Sequence, residues 1–300
     1  AVGLVAASAA SAQMGAQIAE LGAQGVQVFF VLSGFVIAYS LRNLTMTLGA
    51  LARFVFRRAV RLDPPYWVAI ACMYAYHGLR WYMTQHPFDW PTLTQFLAHL
   101  FYLQIILQQP IINIAFWTLC LEFQFYLVFA LGLWLCVRFA PAVWDQRTTA
   151  PRLFFILFVL SLAWPTGLAG LQLSHTYFLP LWHTFLSGAI LWWCHEGALP
   201  KKAGFLAVLL LGLALSANPC KETAAASLTA LLLLLASHTG GLHTWLKHQA
   251  FQYLGRRSYS IYLVHVPVGV LAGVRSRVLP DSALVGWGFL ALSFLISVIA

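Results

Sequence analysis

The apolar positions of this chain form continuous runs, without the strict alternation of a half-buried strand. The runs are Ala1–Gln13, Gly25–Leu41, Pro65–Leu79, Ala115–Val137, Leu153–Leu171, Tyr177–Cys194, Gly204–Ser216, Ala224–Ser237, Ser258–Val274 and Leu284–Ala300. Runs of this kind predict helices that cross a bilayer, where every backbone N–H and C=O must find its partner inside the segment. Their continuity also argues against a β-barrel, whose strands alternate. Ala1–Gln13 lacks a basic region and reads as the remnant of a first membrane helix, with no cleavable signal peptide. Phe96–Leu107 is different: it is short, carries His99 and Gln104, and ends at Gln108-Gln109-Pro110.

Composition supports the membrane assignment. Hydrophobic residues make up 61% of the 300 and charged residues 8%, with a mean hydropathy of +0.80. Soluble domains carry roughly a quarter charged residues, so this chain cannot clothe a water-facing surface. Its net charge of +9 follows from cations placed to orient the helices, and nucleic acid is excluded as a partner on that ground. Five cysteines without CxxC spacing mostly lie in apolar runs, as small buried hydrophobes do.

Charge decides how Phe96–Leu107 is placed. If it does not cross, one side holds Arg42, Arg53, Arg57, Arg58, Arg61, Arg138, Arg147, Arg152, Lys201, Lys202, Lys247, Arg256 and Arg257, leaving Arg80, Lys221, Arg275 and Arg277 opposite. If it crosses, every later loop flips and the bias vanishes. The positive-inside rule therefore makes it a re-entrant or surface segment. The expected fold is all-α: one integral-membrane domain over residues 1–300, a polytopic bundle of about ten crossings in the inner membrane, surrounded by membrane lipids.

Of the eight acids only Glu122 lies deep in an apolar run, about 10 Å in from Ala115 at the helical rise. A carboxylate at that depth costs on the order of 3 kcal/mol or more unless it is paired or faces a wet cavity. Thr118 and Tyr126 flank it one turn either side. Arg53, Arg57 and Arg61 recur at i, i+4, i+8 with Arg58 adjacent, a guanidinium-rich segment suited to headgroups or to a phosphorylated donor. Asp63, Pro64 and Pro65 are expected to stop this segment before the next span. His265 lies in GRRSYSIYLVHVPVGVL with Ser258, Ile261 and Tyr262 on its face. It reads either as a functional group or as a buried neutral histidine bonded to a carbonyl that Pro267 frees. No His, Cys or acid pattern suits a metal.

In four places, in order, the chain resembles the acyltransferase-3 family of bacterial membrane O-acyltransferases. The stretches are GVQVFFVLSGFVIAYSL, RFVFRRAVRLDPPYWVAI, FWTLCLEFQFYLVF and GRRSYSIYLVHVPV. The resemblance implies transfer of an acyl group, acetyl foremost, from acyl-CoA to a hydroxyl of a cell-envelope carbohydrate or lipid-linked glycan. Acyl-CoA is then a donor substrate and no cofactor stays bound. It implies that Arg57, Arg58 and Arg61 meet the donor phosphates, that Trp117 and Tyr126 line a cavity beside Glu122, and that Glu122 and His265 carry chemistry. It also implies a catalytic histidine near the end of the first helix, where this chain reads AASAASAQMGAQ, an arginine upstream of that histidine, where no Arg precedes Arg42, and an acid where it has Gln27. Either another residue supplies the base, or the chain is a non-enzymatic protein that binds or transports a glycan or acyl ligand.

Overall fold

The structure, a computed structural model, describes residues 24–43, 47–85, 90–113, 115–139, 146–170 and 177–276. The expected spans Ala1–Gln13 and Leu284–Ala300 lie outside them. The described residues contain helices and no strand: α1 (Gly25–Leu41), α2 (Leu48–Thr84), α3 (Leu93–Leu100), α4 (Phe116–Phe139), α5 (Gln146–Ser161), a 3-10 turn at Leu179–Leu181, α6 (Trp182–Glu196), α7 (Lys201–Ala217), α8 (Lys221–Thr239), α9 (Gly241–Thr244) and α10 (Gln249–Ser276). Among them α4 is the one helix both long and apolar enough to cross a membrane by those two measures, while α1 is apolar but shorter. Large apolar side chains stand outward along single helices, as at Phe205, Leu206, Leu209 and Leu213 of α7. Such exteriors suit contact with lipid. Two compact units are present, one drawn from residues 24–58 and 120–245, the other from 59–119 and 246–276.

In the first unit α1 and α6 touch through backbone. A Cβ on Gly34 would lie 1.8 Å from the Phe185 carbonyl oxygen, and one on Gly188 would lie 1.9 Å from that of Val31. Small residues are what allow membrane helices to approach this closely. Phe30 stacks on Phe185 with ring centroids 4.5 Å apart, and further along Phe35 and Tyr39 both meet Trp192 edge-on. The contacts advance together on both helices, so α1 and α6 are parallel. On α4, Phe125 stacks on Phe185 at 4.0 Å and Phe129 on Trp193 at 5.7 Å, again in step. Near the end of α8, Ser237 bonds His195 near the end of α6. Gly204, early in α7, packs against Leu191, Cys194 and Leu234, so α7 returns antiparallel. The C-terminal ends of α1, α6 and α8 therefore share one side with Arg42, Lys201 and Lys202, while Lys221 opens α8 at the other.

Two expectations are corrected, the first of them in the second unit. The Pro pair does not stop a segment: α2 runs unbroken through Pro64 and Pro65. Tertiary contacts hold the chain helical across the breaker. Tyr259 donates its hydroxyl to the Leu62 carbonyl, Tyr102 donates to Asp63 Oδ1, and Tyr66 is fully buried between the rings of Tyr102 and Phe116. The second correction falls in the first unit, where the expected Leu153–Leu171 helix ends at Ser161. Pro165 has no N–H to give the Ser161 carbonyl, and Gly167 and Gly170 adopt positive φ just beyond.

Phe96–Leu107 becomes the eight-residue α3 followed by turns. At roughly 12 Å, α3 is too short to cross. His99 pins it: fully buried, its Nδ1 faces the Gln95 carbonyl and its Nε2 accepts from the Ile112 N–H. An N–H on Nε2's side can only donate, so the ring is neutral with its proton on Nδ1. Burial pushes the His99 pKa down, and the Gln95 bond opposes this only in part.

Two predictions follow from this packing. Gly188→Leu drives a side chain into the Val31 carbonyl, so the protein is expected to lose its monodisperse peak in detergent size-exclusion chromatography. A wild-type profile contradicts the backbone crossing. Because His99 binds its proton less readily folded than unfolded, the unfolded chain gains protons first on acidification. Stability in detergent is therefore expected to fall as pH drops through about 6.5, and His99→Gln to flatten that part of the melting-temperature profile.

Candidate functional site

The site is built on α1, α4 and the start of α2, within the first unit. Glu122 is 3% exposed in the one helix among the described residues that is long and apolar enough to cross a membrane. Its Oε1 accepts from Ser33 Oγ at 3.1 Å and from the Tyr126 hydroxyl. Tyr126 lies one helical turn along α4, which is why i, i+4 spacing lets the ring fold back onto the carboxyl. Ser33 arrives from α1 because Gly34, its chain neighbour, holds that helix against α6. Two hydroxyl donors on one oxygen replace part of the hydration that the carboxylate forfeits.

Arg58 completes the group. Its guanidinium carbon stands 5.3 Å from the centroid of the Tyr126 ring and 5.5 Å from that of Phe54, and its Nη2 donates to Ser40 Oγ at 2.8 Å. Ser40 lies about 10 Å along α1 from Ser33 at the helical rise. A path of polar contacts thus runs from Ser40 through Arg58 and Tyr126 to Glu122 and Ser33. It links the cation-bearing end of α1 to the buried carboxyl.

The remaining candidates fall into distinct settings. Arg53, Arg57 and Arg61 are exposed, as their one-face spacing requires, whereas Arg58 is half-buried and turned inward. Arg42 is exposed and stacked on Tyr39 at 3.8 Å. Trp117 is half-buried in the first turn of α4. Thr118, expected to share a polar strip with Glu122, instead pairs its hydroxyl with that of Tyr262 at 2.6 Å and donates to Ala115 O. His265 belongs to α10, but its side chain lies outside the described part of the structure. The AASAASAQMGAQ stretch also lies outside it. Ser33 is the member that sequence reasoning passed over. It sits beside Gly34 within the apolar Gly25–Leu41 run, and nothing in its spacing pointed across to α4. Among the described residues no His, Cys, Asp and Glu cluster could hold a metal ion.

Residues 5–300 match the acyltransferase domain family of the acyltransferase-3 type. Over 269 residues the chain is 30% identical to the exopolysaccharide production protein ExoZ of Rhizobium meliloti (strain 1021), covering 82% of this chain and 76% of that protein. No solved structure matches. The chain belongs to the acyltransferase-3 family.

Proposed function

We propose that this protein is a multi-pass O-acyltransferase of the bacterial inner membrane. It would take an acyl group, acetyl foremost, from acyl-CoA on the cytoplasmic side and deliver it to a hydroxyl of a cell-envelope polysaccharide. The relative named for exopolysaccharide production supports the acceptor class. The cation-bearing ends of α1 and α7 are the cytoplasmic ends, in keeping with the positive-inside rule, and ten crossings over residues 1–300 give a single membrane domain.

The observation that carries this reading is the Arg58–Tyr126–Glu122–Ser33 path. Guanidinium forks match phosphate oxygens, so Arg58 with the exposed Arg57 and Arg61 receives the nucleotide phosphates of the donor. Tyr126 lines the space where donor and acceptor meet. The acceptor hydroxyl then gives its proton to Glu122, its oxygen attacks the thioester carbonyl carbon, and the C–S bond breaks. CoA leaves as thiolate and recovers the proton, so Glu122 ends as it began. General-base catalysis of this sort is worth roughly 10²–10⁴-fold. His265 is the other group that could serve the same step. A second reading, a glycan- or acyl-binding protein without turnover, is favoured by AASAASAQMGAQ, where the family resemblance implies a histidine.

Glu122→Gln keeps the bonds from Ser33 and Tyr126 but takes no proton, so it is expected to lower envelope-glycan acylation in cells at least 100-fold. Full activity leaves Glu122 structural. Arg58→Ala with Arg57→Ala is expected to weaken CoA binding to the purified protein by tenfold or more in calorimetry, and unchanged affinity removes the donor-site role.

A further inference from the structure

Gln27 is 5% exposed, and its side-chain oxygen has no hydrogen-bond partner among the described residues. A carboxamide buried in this way is rare, because its lost hydration is normally replaced. Helix register indicates what surrounds it. Phe30 of α1 stacks on Phe185 of α6, and these helices are parallel. Moving back one turn on each helix from that stacked pair reaches Gln27 on α1 and Trp182 on α6. Trp182 also carries a buried atom without a partner among the described residues, its indole Nε1. A third unpaired buried atom, Gln24 Oε1, sits one turn further back beside α1. Two acceptors and one donor thus stand near one level of two packed helices, without partners among the described residues.

A hydroxyl both donates and accepts, so it matches this set, donating to a Gln oxygen while accepting from the indole N–H. The ligand is neutral at this point: α1 has no charged residue, and His183, the chain neighbour of Trp182, has its Nδ1 committed to the Pro180 carbonyl. Along α1, Gln27 lies about 9 Å before Ser33, on the far side of it from Ser40. We infer that Gln27 and Trp182, with Gln24, form a subsite for a hydroxyl-rich neutral ligand, the sugar ring of the acyl acceptor. It rests on the acyltransferase reading above, and it places the acceptor's entry at the end of α1 opposite the donor arginines.

The test complements a strain lacking the gene with wild type, Gln27→Leu or Trp182→Phe. It then supplies detergent-solubilised membranes, in which both ends of α1 are open to solution, with acetyl-CoA and increasing amounts of the strain's own extracted envelope glycan. Gln27→Leu removes an unpaired buried amide and Trp182→Phe keeps a ring in place, so both variants are expected to fold, the first with a raised melting temperature. Each is expected to raise the half-saturating glycan amount about tenfold, with maximal rate and CoA affinity near wild type. Gln27→Leu and Trp182→Phe with unchanged glycan dependence overturn the subsite, since the unpaired atoms then concern folding alone. If wild type itself restores no acylation, the acyltransferase reading falls, and the subsite with it. That result is told apart because it appears before any variant is compared.

Discussion

A carboxyl group cannot be carried into an apolar helix bundle without replacement for the water it leaves. Around Glu122 two hydroxyls supply that replacement, from Tyr126 on the same helix and from Ser33 on another. The requirement sets the geometry on both sides. Tyr126 must be one turn away on α4, and α1 must pass close enough for a side chain as short as serine to reach. The close passage is secured by Gly34 and Gly188, whose missing Cβ atoms let α1 and α6 meet through backbone. A catalytic or binding role for the acid is thus inseparable from the packing of three helices.

The same logic separates Arg58 from its neighbours. Four arginines lie within three turns of α2, and spacing alone favours Arg53, Arg57 and Arg61 as the coherent face. They are coherent because they face outward. Arg58 is off that face, so it turns toward Ser40 and Tyr126 and becomes the cation that approaches the buried acid's partner.

Much of this was legible in the chain. Gly25–Leu41 was readable to the residue, since an apolar run flanked by Gly25 and Arg42 leaves the helix little freedom in its ends. Glu122 announced itself as the acid in the wrong solvent. The charge bias kept Phe96–Leu107 from crossing, and α3 with its turns is consistent with that. What stayed hidden depends on distant residues. Pro64 and Pro65 are strong local breakers, and contacts from the distant Tyr102, Tyr259 and Phe116 brace the helix around them. Thr118 had the spacing to face Glu122 but is claimed by Tyr262, from more than a hundred residues away. Ser33 and Gly34 are chain neighbours, yet the two side-chain positions face different helices.

That division of neighbours has a genetic corollary. Residue 34 belongs to the steric fit between α1 and α6, and residue 33 to the polar contact with α4, yet a single peptide bond joins them. Lineages drifting at Gly188 would have to compensate along α1 and would displace Ser33 in doing so. A screen that scores only lost function will therefore return glycines with no reactive chemistry beside the acid they indirectly hold in place.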